Sequence, residues 1–116
     1  MEEMPDRRKN KRRYLMYYSR VYEAENLIGH LVDITPQGAM LISEKMIETD
    51  RIFKLRMELS ADVTDRPFME FIAKSLWCRP DIDPNFYNTG FELLGISQSE
   101  IEIIERIVEA YGFRDN

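Results

Sequence analysis

The feature that most constrains this chain is a succession of short segments with the period-two pattern of β-strands. The clearest is 52–59, where apolar residues at odd positions alternate with charged residues at even positions from 53 onward. In total we predict six strands, at 14–22, 27–34, 39–42, 52–59, 68–78 and 86–94. Consecutive antiparallel strands leave exposed edges unless the sheet closes on itself, so we expect a small barrel.

Turn-forming residues separate the predicted strands. Thr-Pro-Gln-Gly at 35–38 predicts a turn between the second and third strands, and two prolines within 79–85 end the fifth. We expect the fifth and sixth strands to pair as a hairpin. The longer polar segment 44–50 leaves room for one helical turn.

The pattern changes to helical spacing near the end of the chain. Ser97 and Glu100 have the spacing of a capping box, which predicts that a helix begins there. Apolar residues follow at intervals of three and four, namely Ile101, Ile104, Ile107, Val108 and Tyr111. The sequence therefore predicts an all-β fold with a terminal helix: a six-stranded antiparallel β-barrel closed by a C-terminal α-helix.

Charge is distributed unevenly along the 116 residues. Six of the 16 Lys and Arg residues lie within 7–13, which leaves 10 against 21 acidic residues elsewhere and a net charge of −11 there. We expect a flexible basic N-terminal arm at 1–13 and one barrel domain at 14–116. Such an arm could bind nucleic acid or a membrane surface, stay solvated, or close over a small anionic ligand. The acidic domain argues against direct binding of nucleic acid and of a membrane surface, and no apolar run is long enough for membrane insertion.

Few residues offer catalytic or metal-binding chemistry. Cys78 is the only cysteine, so the chain has no internal disulfide and no zinc-ligand spacing. His30, the only histidine, lies in an apolar strand pattern and is more typical of a core or edge histidine than of a catalytic base. Asp81 and Asp83 stand beside prolines, as in a solvated loop. We therefore expect a cytoplasmic protein that is not an enzyme and needs no cofactor or metal.

Two short patterns share a chemistry suited to a guanine nucleotide. Arg8 and Arg12 form an Arg-x-x-x-Arg pattern, and guanidinium groups bind phosphate oxygens and the O6/N7 edge of guanine. Asp33, Thr35 and Gly38 form an Asp-x-Thr-x-x-Gly turn. The carboxylate can accept from guanine N–H groups, the hydroxyl can add a hydrogen bond, and glycine allows close approach to the backbone. Each pattern alone also fits a structural explanation: the first a chance spacing in a basic run, the second an ordinary turn.

The order of these patterns along the chain resembles the PilZ domain family. Arg-x-x-x-Arg precedes the first strand, Asp-x-Thr-x-x-Gly follows the second, and Trp-Cys-Arg at 77–79, Thr-Gly-Phe at 89–91 and an amphipathic helix come later. The resemblance implies a bacterial receptor for the second messenger cyclic di-GMP that signals to a downstream protein through a conformational change of the arm. It also implies that Arg8 and Arg12 hold phosphate and guanine from the arm.

The same resemblance assigns roles on the barrel and leaves some alternatives open. Asp33, Thr35 and Gly38 would hold a guanine, with Thr35 in a position where the family usually has serine. Lys9 and Arg13 fit a looser Lys-x-x-x-Arg pattern, although a pair of arginines favours 8 and 12.

Arg7, directly before the first motif, favours a stacked pair of ligands over a single one in that family. Trp77 is more typical of core packing than of a stacking platform. The alternative function is a ligand-independent PilZ-like interaction module that contacts an acidic protein or nucleic acid through the arm.

Overall fold

The computed structural model describes residues 19–111, and within them it shows six strands followed by one helix. These are β1 (Arg20–Glu23), β2 (Asn26–Ile34), β3 (Gly38–Ser43), β4 (Ile52–Glu58), β5 (Phe68–Pro80), β6 (Tyr87–Leu94) and α1 (Gln98–Tyr111). The arm expected at 1–13 and the part of the first predicted strand before residue 19 lie outside the described residues.

The strands form a closed barrel in the order β1-β2-β3-β6-β5-β4, and each neighbouring pair is antiparallel. The short β1 completes the closure, because Val21 lies opposite Gly29 of β2 on one side and Met57 of β4 on the other. The predicted hairpin of β5 and β6 is also present. The predicted six-stranded antiparallel barrel with a C-terminal helix is confirmed.

From β2 onward the strand boundaries lie within one or two residues of the predicted ones, whereas β1 differs: Ser19 lies outside any strand, and β1 ends at Glu23, one residue beyond the predicted end. In β4, Phe53, Leu55 and Met57 are buried, while Ile52 and Lys54 are exposed, as the alternation predicts. β5 continues two residues past its predicted end and finishes at a proline. At the last position of a strand the missing proline N–H interrupts the hydrogen-bond ladder least.

The hydrophobic core fills the barrel and continues beneath α1. Ile103, Ile104 and Ile107 of the helix are buried in the same cluster as the inward-facing strand residues. Phe53 and Phe91 meet edge to face across the interior, with ring centroids 5.7 Å apart. Burial of each large apolar side chain stabilises the fold by about 1.5–3 kcal/mol.

Hydrogen bonds fix both ends of α1. The N–H of Glu100 donates to Ser97 Oγ at 3.3 Å, and the N–H of Ser97 donates to the Glu100 carboxylate at 3.1 Å. This confirms the predicted capping box. At the last residue of the helix, the Tyr111 hydroxyl donates to the Asp62 carboxylate at 2.6 Å, and this bond raises the pKa of Tyr111. The helix is thereby attached to the loop that joins β4 and β5.

The connection between β3 and β4 contains no helical turn, so that expectation is wrong. Its last residues form backbone hydrogen bonds to β5 in place of the local bonds of a helical turn. The N–H of Asp50 donates to the Ser75 carbonyl at 2.7 Å, and the N–H of Ser75 donates to the Arg51 carbonyl at 2.9 Å. The fully buried Ser75 hydroxyl donates to the Glu48 carbonyl at 2.7 Å and accepts from the Arg51 N–H at 3.1 Å. One side chain therefore holds the connection against the barrel.

We expect Ser75→Ala to lower the free energy of unfolding by about 1–3 kcal/mol, because buried backbone groups lose their hydroxyl partner. Urea denaturation followed by circular dichroism measures the change. Thr89→Val is the matched control, since Thr89 Oγ1 is buried and has no hydrogen-bond partner among residues 19–111, and valine keeps nearly the same volume. The control should be neutral or stabilising, and equal losses in the two variants would contradict the role given to Ser75.

Candidate functional site

The turn between β2 and β3 is organised by Thr35. The N–H groups of Gln37 and Gly38 each donate to Thr35 Oγ1 at 3.2 Å, and the N–H of Thr35 donates to the Gly38 carbonyl at 2.8 Å. The Thr35 hydroxyl itself reaches the Gly38 carbonyl only at 3.5 Å. Since Thr35 is exposed, its oxygen shapes the turn while its side chain faces solvent.

Gly38 is required by the packing of β3 against β6. A Cβ atom at this position would lie 2.8 Å from the carbonyl oxygen of Phe91, which is closer than real contacts allow. The preceding residue, Gln37, also links the turn to β6, because the N–H of Leu93 donates to the Gln37 carbonyl at 2.9 Å. Packing of the barrel therefore requires glycine at position 38, with or without a ligand.

A bulge presents Asp33 on the outer surface of the barrel. The register of β2 against β3 shifts between Leu31 and Asp33, so Leu31 pairs with the inward-facing Leu41 and Asp33 pairs with Met40. Leu31 and Leu41 are buried, whereas Asp33 and Met40 are only half-buried. The bulge therefore determines which side of the wall carries the carboxylate.

Cross-strand partners extend this position into a row on the outer wall. Met40 lies opposite Gly90 of β6, and Gly90 lies opposite Trp77 of β5. With strands about 4.8 Å apart, the row places Trp77 roughly 14 Å from Asp33. We call the outer surface along Asp33, Met40, Gly90 and Trp77 the outer-wall row.

The indole of Trp77 occupies the space that a side chain at position 90 would fill. A Cβ at Gly90 would stand 2.4 Å from Trp77 Cε2, and the guanidinium of Arg79 lies 4.7 Å from the centroid of the Trp77 ring. Trp77 is half-buried and stands outside the core cluster. The expectation that Trp77 packs in the core is therefore wrong, because the indole packs on Gly90 at the outer wall.

Of the predicted site residues, the structure brings together those on the barrel. Asp33, Thr35 and Gly38 lie within one turn and its preceding strand, at one end of the outer-wall row. The predicted positions Arg7, Arg8 and Arg12 lie outside the described residues.

The pattern analysis missed Met40 and Arg79 as neighbours of the candidate site. Period-two alternation predicts that each faces one side of the sheet. The alternation could have placed Arg79 on the face of Trp77, two residues away in β5, but it does not predict the cross-strand register that places Met40 beside Asp33, because a bulge sets that register.

Within residues 19–111, no helix is long and apolar enough to cross a membrane, and no three His, Cys, Asp or Glu side chains converge as metal ligands. The described residues form a small closed barrel with one helix, and the half-buried Asp33 lies near the end of β2 on its outer wall. The sequence model of the PilZ domain matches residues 6–110, so the chain belongs to the PilZ domain family. This match supports a PilZ-type adaptor family associated with cyclic di-GMP binding.

A solved structure agrees with this fold. The chain is similar to the inhibitor of motility MotI/DgrA of Bacillus subtilis, with a TM-score of 0.65 and 14% sequence identity. The match covers 93% of this chain and 56% of the other, so this chain spans just over half of that protein's length. At this identity the likeness shows the shared fold alone. A comparison with curated protein sequences finds no match.

We expect Gly90→Ala to displace the Trp77 indole from the wall, because the added methyl would occupy the position of the ring. Overpacking of this kind destabilises by about 1–3 kcal/mol, and the fluorescence emission of Trp77, the only tryptophan, should shift to longer wavelength. Gly95→Ala is the control: it strains a backbone with φ of 63°, but its Cβ meets nothing within 4 Å. Unchanged emission in Gly90→Ala would show that the ring does not rest on Gly90.

Proposed function

We propose that this chain binds cyclic di-GMP between its basic segment 7–13 and the β2–β3 turn, and signals to a downstream protein by a conformational change of the segment. The observation that carries the proposal is the placement of Asp33 on the outer wall, within a motif order that the PilZ match covers from residue 6. On this proposal the protein acts in the bacterial cytoplasm as a receptor, without an enzymatic reaction and without a cofactor.

The chemistry of the wall suits a guanine base. A carboxylate at Asp33 can accept hydrogen bonds from two guanine N–H groups, and it lies beside the apolar side chain of Met40. The exposed Thr35 side chain stands at the adjacent turn and can add a contact to the ligand. The barrel therefore supplies part of the base recognition in this proposal.

The phosphates require positive charge that the barrel lacks. Residues 19–111 contain 9 Lys and Arg residues against 17 Asp and Glu residues, so their net charge would repel an anionic ligand. The segment 7–13 carries six cations, and arginine binds phosphate oxygens in a bidentate manner. We therefore assign Arg8 and Arg12 to the phosphates and to the guanine edge.

Two observations favour a second candidate, a PilZ-type interaction module that works without ligand. Thr35 already uses its oxygen to organise the turn, and Gly38 is already required by the Phe91 carbonyl. Both motif residues would thus be retained for the fold alone. The affinities of the Asp33, Arg8 and Arg12 variants for cyclic di-GMP therefore decide between the two functions.

Isothermal titration of the full chain with cyclic di-GMP tests the proposal. Arg8→Ala and Arg12→Ala should each weaken binding by about 1.5–3 kcal/mol, the range for hydrogen bonds to charged groups, and Asp33→Ala should remove most of it. Thr35→Ser should keep the affinity or improve it, because the hydroxyl remains and a methyl group is removed.

Matched variants separate recognition from bulk charge. Lys11→Ala removes one cation from the same basic run, and Asp50→Ala removes one carboxylate from an exposed position away from the β2–β3 turn. Both should bind nearly as the wild type does. Equal losses of affinity for Lys11→Ala and Arg8→Ala would indicate general electrostatic attraction and contradict recognition by the Arg-x-x-x-Arg motif. No binding by the wild type would favour the ligand-independent module.

We expect the wild type to bind two cyclic di-GMP molecules per chain, because Arg7 adds a third guanidinium that can neutralise and stack on an intercalated pair. Arg7→Leu should bind one ligand, and more weakly. Titration to saturation at a known protein concentration gives the ratio. A wild-type end point of one ligand per chain would contradict the stacked pair while leaving the receptor function in place.

A further inference from the structure

A second concave surface lies at the other end of β2. A groove of about 420 Å³ is bounded by the start of β2, the end of β3 and the connection that follows β3. We call it the β2–β3 groove, and its apolar lining comprises Leu27, Ile28, Ile42, Met46, Ile47 and Phe86. Along β2, Leu27 and Asp33 are separated by roughly 20 Å, so the groove is distinct from the candidate ligand site.

Some apolar side chains of the groove are exposed, and others pack against the hydrophobic core. Met46 is 69% exposed and Leu27 is 49% exposed, although they belong to different segments of the chain. Ile28 and Ile47 pack against the hydrophobic core beneath them. A contiguous apolar patch with a polar rim is typical of interaction sites, whereas single exposed apolar side chains are not. Methionine also adapts its shape to a partner better than branched residues do.

Acidic residues lie in and next to the segments that line the groove. Glu44 lines it, Glu25 and Glu48 are exposed within two residues of the lining residues Leu27 and Ile47, and Lys45 is the only Lys or Arg among the described residues that line it. No ion pair within residues 19–111 engages these three glutamates, whereas Glu23 on neighbouring β1 is paired with an arginine at 2.8 Å. These glutamates therefore offer negative charge that no cation of the described part of the chain neutralises by direct contact.

We propose that the β2–β3 groove docks a basic amphipathic helix of a partner protein. Apolar side chains at positions i, i+3, i+4 and i+7 of such a helix would enter the groove, and Lys or Arg residues beside them would face Glu25, Glu44 and Glu48. Charge argues against a second copy of this chain, because the copy would bring the same acidic residues. The basic segment 7–13 contains no apolar side chain to fill the groove.

Fluorescence anisotropy with labelled peptides and the full chain tests the proposal. The probe is an 18-residue peptide of Leu and Lys with one apolar helical face, and we expect a Kd of about 1–100 μM, as for a small transient interface. A peptide of the same composition without an apolar face, and one with Glu in place of Lys, should each bind at least about tenfold more weakly. No binding of the first peptide, or equal binding of all three, would overturn the proposal.

Variants of the protein locate the binding. Met46→Glu and Leu27→Glu place a carboxylate in the groove and should each weaken binding of the Leu-Lys peptide by about tenfold or more, the effect of losing one large apolar contact. Ile52→Glu and Ile72→Glu add the same charge at exposed apolar positions outside the groove. They should leave binding unchanged or tighten it.

Two other outcomes would contradict the proposal. General attraction of a basic peptide to an acidic protein would tighten binding in all four glutamate variants, including those in the groove. Sedimentation that shows a dimer dissociated by Met46→Glu would assign the groove to a second copy of the chain.

Discussion

The pairing of β1 with both β2 and β4 is the constraint on which the rest of the structure depends. β1 has only four residues, yet it satisfies the last two open edges and turns a curved sheet into a barrel. Closure divides the side chains of every strand into an inner set, which forms the core, and an outer set, which faces the surroundings. The candidate site belongs to the outer set, so its side chains can vary in chemistry without changing the packing of the core.

Much of this architecture could be predicted from local patterns in the sequence. The alternation in β4 arises from the pleat of a strand, and the capping box at Ser97 arises from the unsatisfied N–H groups of a first helical turn. Both depend only on residues that are close in the sequence. The hairpin of β5 and β6 was predictable for the same reason, since the prolines and Asn85 lie in the segment that joins the two strands.

The parts that could not be predicted depend on contacts between distant segments. The bulges beside Asp33 and Trp77 shift the cross-strand register, and no local pattern in the sequence marks them. The connection after β3 forms no helical turn, and Ser75, more than twenty residues away, provides hydrogen bonds to it instead. Trp77 was expected to pack, but its position on the outer wall depends on the absence of a side chain at Gly90.

Barrel closure also limits how a bound ligand could act on a partner. The described strands are paired on both sides, and a packed wall of this kind changes register only by breaking several hydrogen bonds together. A signal needs an element with two accessible arrangements, and such elements come from the less constrained parts of a fold. Under the proposed function, the barrel is therefore the fixed reference and the basic segment is the element whose arrangement changes. The signal would then consist of new charge and shape presented beside a wall that itself stays the same.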